Sequence, residues 1–107
     1  MKRAADHRHI ETFRLDWNGF TIEIRYEPNW LNISAGVDTA HLEIETIIPE
    51  RAPLPITDTG YRSHFTTPEI VAAYGGPVSF VEWWLETESQ APDWRREQQE
   101  RQQLSLF

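Results

Sequence analysis

Arg51, Asp58, Tyr61, Arg62 and His64 crowd one stretch of the sequence. A guanidinium, a carboxylate, a phenol and an imidazole in one loop could orient a small substrate and move its protons. They could equally make a polar contact surface for a partner. An enzyme built there needs Tyr61, Arg62 and His64 in one pocket. Pro49, Pro53 and Pro55 stiffen the same stretch, and the plainer reading is that they only lower the entropy of a crossover. Glu43 and Glu45, two apart, and Glu82 and Glu86, four apart, could pair carboxylates for acid–base work, but solvated strand and helix faces have the same spacing. His7 and His9, with Asp6 beside them, have chelating spacing, but on a mobile arm with no third ligand at a fixed distance. His41 and His64 stand singly in strand patterns and read as surface or core-edge residues. Tyr74-Gly75-Gly76-Pro77 is a joint between helices and not a phosphate cradle, and no nucleophile elbow surrounds Ser63, Ser79 or Ser89. The expectation is a non-enzymatic protein with no catalytic residue, no metal and no cofactor.

The 107 residues make one domain, with an ordinary share of apolar side chains and five Trp, five Phe and three Tyr to build a core. The formal net charge of −7 argues against direct nucleic-acid binding, because affinity for a phosphate backbone comes from Lys and Arg. It leaves open a protein partner, or a second reading: an acidic interaction module or nucleic-acid mimic acting through Glu43, Glu45, Glu82, Glu86 and Glu88, its C-terminus packed on its own core. No run is long enough to span a membrane, and the basic start has no apolar segment of the kind a signal peptide carries. With no Cys there is no disulfide framework. A cytoplasmic protein with no membrane partner is expected.

The strongest local pattern runs from Phe13 to Tyr26. Asn18-Gly19 between two alternating runs is a type I′ hairpin signal. A two-residue loop there pairs Trp17 with Phe20, Leu15 with Ile22 and Phe13 with Ile24 on one face, and Arg14 with Glu23 and Asp16 with Thr21 on the other. Pro28 is expected to end the second strand, with Trp30–Ile33 as a short strand or as a turn that drops Trp30 onto the core. Residues 40–48 alternate again, with Leu42, Ile44 and Ile48 on one side. A stiff loop spans Pro49–Gly60, and residues 61–65 form a last short strand. Thr67-Pro68-Glu69 starts a brief helix that Gly75-Gly76 stops. A second helix runs from Pro77 to the break at Ala91-Pro92. The predicted class is α+β: a three- or four-stranded antiparallel sheet opening with a β-hairpin, two C-terminal helices on one face, and a flexible tail. The expected organisation is a mobile arm (1–9), a globular domain (10–91), a polar tether (92–102) that is loosely helical or disordered, and a binding peptide (103–107).

That last segment, Gln103-Leu104-Ser105-Leu106-Phe107, puts large apolar side chains beyond a polar stretch. It resembles the pentapeptide through which many bacterial replication and repair proteins bind the DNA sliding clamp, the beta subunit of the replicase. That motif runs Gln, Leu, Ser or Asp, Leu, Phe, and all five positions agree. By average residue usage such a string arises by chance at about one position in several hundred thousand. The resemblance implies a clamp-binding accessory or competitor protein. In an extended peptide, Leu106 and Phe107 would enter an apolar pocket, Gln103 would bond at its rim, Leu104 would lie in a shallower groove, and Ser105 would face outward. Each buried side chain contributes about 1.5–3 kcal/mol, and ordering the tail costs several kcal/mol. The balance is about −7 to −8 kcal/mol, a micromolar contact. Residues 51–65 also resemble a segment of small bacterial proteins with no assigned activity.

Overall fold

A computed structural model describes residues 9–32 and 38–105. The arm residues 1–8, Ile33, and Leu106 with Phe107 lie outside the described residues. Four strands, β1 (Glu11–Trp17), β2 (Phe20–Asn32), β3 (Asp38–Ile48) and β4 (Tyr61–Thr66), precede three helices, α1 (Pro68–Ala73), α2 (Pro77–Glu88) and α3 (Pro92–Ser105). The strands form one antiparallel sheet in the order β1-β2-β3-β4. The class is α+β, and the sheet opens with the predicted hairpin.

Asn18 (φ 49°) and Gly19 (φ 84°) take the two left-handed positions that a type I′ turn requires. The register pairs Trp17 with Phe20, Leu15 with Ile22 and Phe13 with Ile24, as the alternation demands. Beyond the hairpin two bulges change the outcome. β2 does not stop at Pro28. Its pairing with β3 shifts between Glu27 and Leu31, so the proline falls in a stretch that needs no ladder N–H. Trp30 consequently stays on the surface, 38% exposed, instead of dropping onto the core. The second shift pairs Thr21 with Ile48 and Ile22 with Thr46. One extra residue in β3 after Thr46 turns Ile48 outward, 59% exposed, so the core row that the sequence pattern carried to Ile48 ends at Thr46.

The core lies on one face of the sheet. Leu15, Trp17, Ile22, Ile24, Tyr26, Leu42 and Ile44 of the strands meet Val71 of α1 and Phe80, Val81 and Leu85 of α2. Thr67 caps α1 by accepting from the Ile70 N–H, and Pro68 occupies its first turn. Gly75 and Gly76, both at positive φ, turn the chain into α2. The 49–60 segment is more than a spacer. Leu54 and Ile56 are buried in the core cluster, and Leu54 and Thr57 exchange two backbone hydrogen bonds. Thr46 anchors the segment: its hydroxyl donates to the Ala52 carbonyl at 2.7 Å and its N–H to the Gly60 carbonyl at 2.9 Å.

α3 covers the segment expected to be a loosely helical or disordered tether, is helical, and extends through Gln103 to Ser105. Trp94 packs against the core. Of the α3 side chains described, Trp94 and Gln98 alone are partly covered, one turn apart on one face; the others are exposed. No described helix is long and apolar enough to cross a membrane.

Gly60 is the tightest point of the 49–60 segment. At φ 77° a Cβ there would lie 2.4 Å from the Arg51 carbonyl carbon, whereas a Cβ at Gly19 would meet nothing within 4 Å. Gly60→Ala therefore combines left-handed strain with a backbone clash and should cost more than about 2 kcal/mol, against about 1 kcal/mol for Gly19→Ala. Urea unfolding of the two variants measures the difference; equal losses would show that the segment yields freely at Gly60.

Candidate functional site

Strand alternation divides the sheet into two chemically different faces. The face away from the helices carries Arg14 and Asp16 from β1, Thr21, Glu23, Arg25 and Glu27 from β2, His41, Glu43 and Glu45 from β3, and Tyr61, Ser63 and Phe65 from β4. Arg25 stands at its centre. Its Nε donates to Glu43 at 2.7 Å, its Nη1 to Glu23, and its Nη2 reaches Glu45 at 3.4 Å. Glu43 accepts a further bond from the Tyr61 hydroxyl at 2.9 Å, and Glu45 one from Arg51 Nε at 3.0 Å. The bond from Arg25 is the main reason that the Glu43 carboxyl lies below the ordinary carboxylate value, and the bond from Tyr61 adds to it. Bonds to Glu43 and Glu23 raise the Arg25 value in turn. Burial, with the Glu43 charge, pushes the Tyr61 phenol up. The pairing thus favours the charged forms of Arg25 and Glu43 and the neutral phenol of Tyr61.

At one end of this face the polar network gives way to aromatic rings. Trp30 meets Phe65 edge-on with ring centres 4.7 Å apart, and the His41 ring lies 4.6 Å from Phe65. His41 Nε2 is hydrogen bonded to the Ser63 hydroxyl at 2.6 Å. Phe65 is half exposed, as is Ile10 just before β1. Beside them is a cleft of about 150 Å³ lined by Ile10, Arg25, Glu27, Trp30, His41 and Glu43. Apolar side chains exposed together on an otherwise charged face are the mark of a contact surface.

The residues singled out between 51 and 64 are not brought together. Arg51 and Tyr61 do meet on the open face, the guanidinium 5.6 Å from the ring centre. Arg62 and His64 pair with Ile44 and Leu42 and so face the helices. There Arg62 lies 5.1 Å over the Trp84 ring and donates to the Ile56 carbonyl, and the His64 ring lies 4.6 Å from Trp84. Asp58 is exposed in the loop. Tyr61, Arg62 and His64 thus share no pocket, because adjacent strand residues point to opposite faces. The acidic residues divide likewise. Glu43 and Glu45 lie under Arg25 and Arg51 on the open face, while Glu82, Glu86 and Glu88 belong to the helix that covers the other face, where Glu86 accepts from the Trp17 indole at 2.8 Å. They form no continuous acidic surface. His9 contacts Glu11, and among the described residues no group of three or more His, Asp or Glu is placed to hold a metal ion. Gln103 is exposed on α3; Leu104 and Ser105 lie in its last turn, and Leu106 and Phe107 outside the described residues.

Arg25, Trp30 and Phe65 are the residues that sequence reasoning missed. The Arg25–Glu43 pairing follows only from the register of β2 on β3, and no tight turn signal fixes that register as Asn18-Gly19 fixes the first.

His64 gives the structure a pH signature. Burial, followed by the Arg62 charge, lowers its value below the usual 6.5, so the folded state holds the neutral ring. From about pH 6.5 downward the unfolded chain binds a proton that the folded chain does not, and stability falls until the lowered folded value is passed. The contribution of Glu43 is lost only below the ordinary glutamate value of 4.5, a separate window. Melting temperature should therefore decline between pH 7 and 5, and His64→Gln should flatten that decline. An unchanged slope in the variant would assign it elsewhere.

No curated protein and no solved structure matches the chain. A family model described as the KlcB third domain matches residues 10–94, from the residue before β1 to Trp94 in the first turn of α3. The matched segment thus contains the whole sheet, α1 and α2 and stops short of the Gln103–Phe107 string, and the chain belongs to the KlcB third-domain family.

Proposed function

We propose that this protein is a non-enzymatic accessory or competitor at the bacterial DNA sliding clamp, bound through Gln103-Leu104-Ser105-Leu106-Phe107. The observation that carries the reading is the agreement of all five residues with the clamp-binding pentapeptide. The geometry of α3 supports it. Beyond Trp94 the described side chains are polar and, Gln98 apart, exposed, and at 1.5 Å per residue the helix sets Gln103 roughly 14 Å along its axis from that anchor. A clamp could approach the segment there without touching the sheet. Binding in extended form requires the last turn of α3, Gln103–Ser105, to unwind. Terminal turns open at little cost, so this subtracts little from the affinity. Arg62, His64 and Tyr61 have no part in this reading, and the family domain becomes what the clamp-bound segment carries. Occupying the clamp pocket would recruit that domain to clamps on DNA, or displace other clients.

Titrating a purified bacterial sliding clamp with the chain tests this. Micromolar binding is expected, lost on deletion of residues 103–107 and weakened about 100-fold or more by Leu106→Ala with Phe107→Ala. The melting transition should survive both changes. Absent binding, or binding that persists after the deletion, would overturn the reading, and a large loss of stability would make the segment part of the fold.

A further inference from the structure

β1 is an edge of the sheet, and among the described residues no strand pairs with its outer side. Trp17 and Phe20 flank the two-residue turn as a hydrogen-bonded pair, so Leu15 and Phe13 bond to β2 as well. The N–H and C=O groups of Thr12, Arg14 and Asp16 therefore point outward, ready for another strand. β1 carries no proline, and its pairing with β2 shows no bulge, two of the usual devices that blunt an edge. The opposite edge is partly closed by its own loop, since the Tyr61 carbonyl accepts from the hydroxyls of Thr57 at 2.7 Å and Thr59 at 3.2 Å.

The sequence of β1 also says what fits it. Arg14 and Asp16 are exposed, opposite in charge and two apart, with Leu15 between them. Two copies of β1 laid antiparallel about a two-fold axis at Leu15 set Arg14 opposite the partner's Asp16, and Asp16 opposite the partner's Arg14. Both residues have outward backbone groups, so each such pair exchanges both of its N–H···O=C bonds. Arg14 is free to turn toward it, being 59% exposed and only 3.9 Å from Glu23 at its nearest. On the helix side the same register sets Leu15 beside its own copy and the half-covered Phe13 beside the partner's Trp17, so the apolar and charged faces run on unbroken. A two-fold axis at Arg14 would face that guanidinium with itself, and one at Asp16 would face the two carboxylates, both unfavourable. Copies with a net charge of −7 repel at long range, so only matched contacts of this kind can hold them.

We propose that two copies of this chain pair through β1, centred on Leu15, to join their sheets into one. The contact is isologous and closes at two. On the clamp reading the pair would also present two Gln103–Phe107 strings and bind with avidity, but the pairing itself does not rest on that reading.

Sedimentation equilibrium of the full chain tests this, with a reversible dimer expected within about 0.5 mM. Arg14→Asp and Asp16→Arg should each weaken it about tenfold or more, because each sets like charges opposite at both ends of the contact. An equimolar mixture of the two variants should associate again, as should the chain carrying both changes. The melting transition of each variant reports whether it has kept its fold. A chain that stays monomeric, a dimer indifferent to the single changes, a mixture that fails to associate, or assemblies that grow beyond two would overturn the proposal. Deleting residues 103–107 should leave the dimer intact, which separates this outcome from clamp binding; loss of the dimer on that deletion would place the contact in the tail and likewise overturn it.

Discussion

The structure depends on the parity of its two central strands. Between their two bulges β2 and β3 present a mainly apolar row to the helices, closed by Thr46 in β3, and a polar, mostly charged row to the other face, and every other element takes its place from that division. A slip of one residue between them would turn one strand over: for β2 it would bury Glu23 and Arg25 away from Glu43 and Glu45 and expose Ile22 and Ile24. Desolvating those charges costs several kcal/mol each, and the apolar side chains would lose about 1.5–3 kcal/mol each. The Arg25 cluster therefore contributes less as a source of stability than as a penalty on wrong registers, since its ion pairs remain partly hydrated where they are.

The same parity explains why residues that look like one site in the sequence are not one. β4 is an edge strand, and its successive residues Tyr61, Arg62, Ser63 and His64 alternate between the charged face and the helix face. Polar side chains that reach the helix face must find partners. Arg62 does so by lying over Trp84 and bonding a loop carbonyl, and His64 by staying neutral against Trp84 and Phe80. Both account for themselves structurally. What the open face gains is an aromatic end, made because the Pro28 bulge keeps Trp30 on the surface beside Phe65.

Legibility in the sequence followed locality. The first hairpin was legible because turn chemistry and alternation give the same register independently, and the start of α1 because Thr67-Pro68-Glu69 satisfies its own backbone donors. The bulges were not. Pro28 reads as a stop when only its own strand is considered, and it is tolerated because β3 skips it. Ile48 reads as core until the shift at Thr21 and Ile22 is known. The 49–60 segment reads as a polar loop because its two buried residues, Leu54 and Ile56, are spaced by prolines and have no periodicity to reveal them. α3 was hidden by composition: only Trp94 and Gln98 face the body, too little apolar surface for a pattern, though Gln, Glu and Arg are good helix formers. Of the candidate site, Arg51 and Tyr61 were legible only as members of a five-residue cluster, while their contact and the places of Arg25, Trp30 and Phe65 required a long-range register.

The family domain is held by parity, and α3 follows it with a polar run. Under our proposal the Gln103–Phe107 string binds the clamp. The central functional claim is that clamp recognition resides in that pentapeptide and needs nothing from the sheet. The most direct measurement is the affinity of an isolated peptide spanning residues 92–107 for a bacterial sliding clamp, set beside that of the whole chain. Affinities within a few-fold of each other are predicted. A peptide that fails to bind where the whole chain succeeds would place the recognition surface on the folded domain and contradict the account.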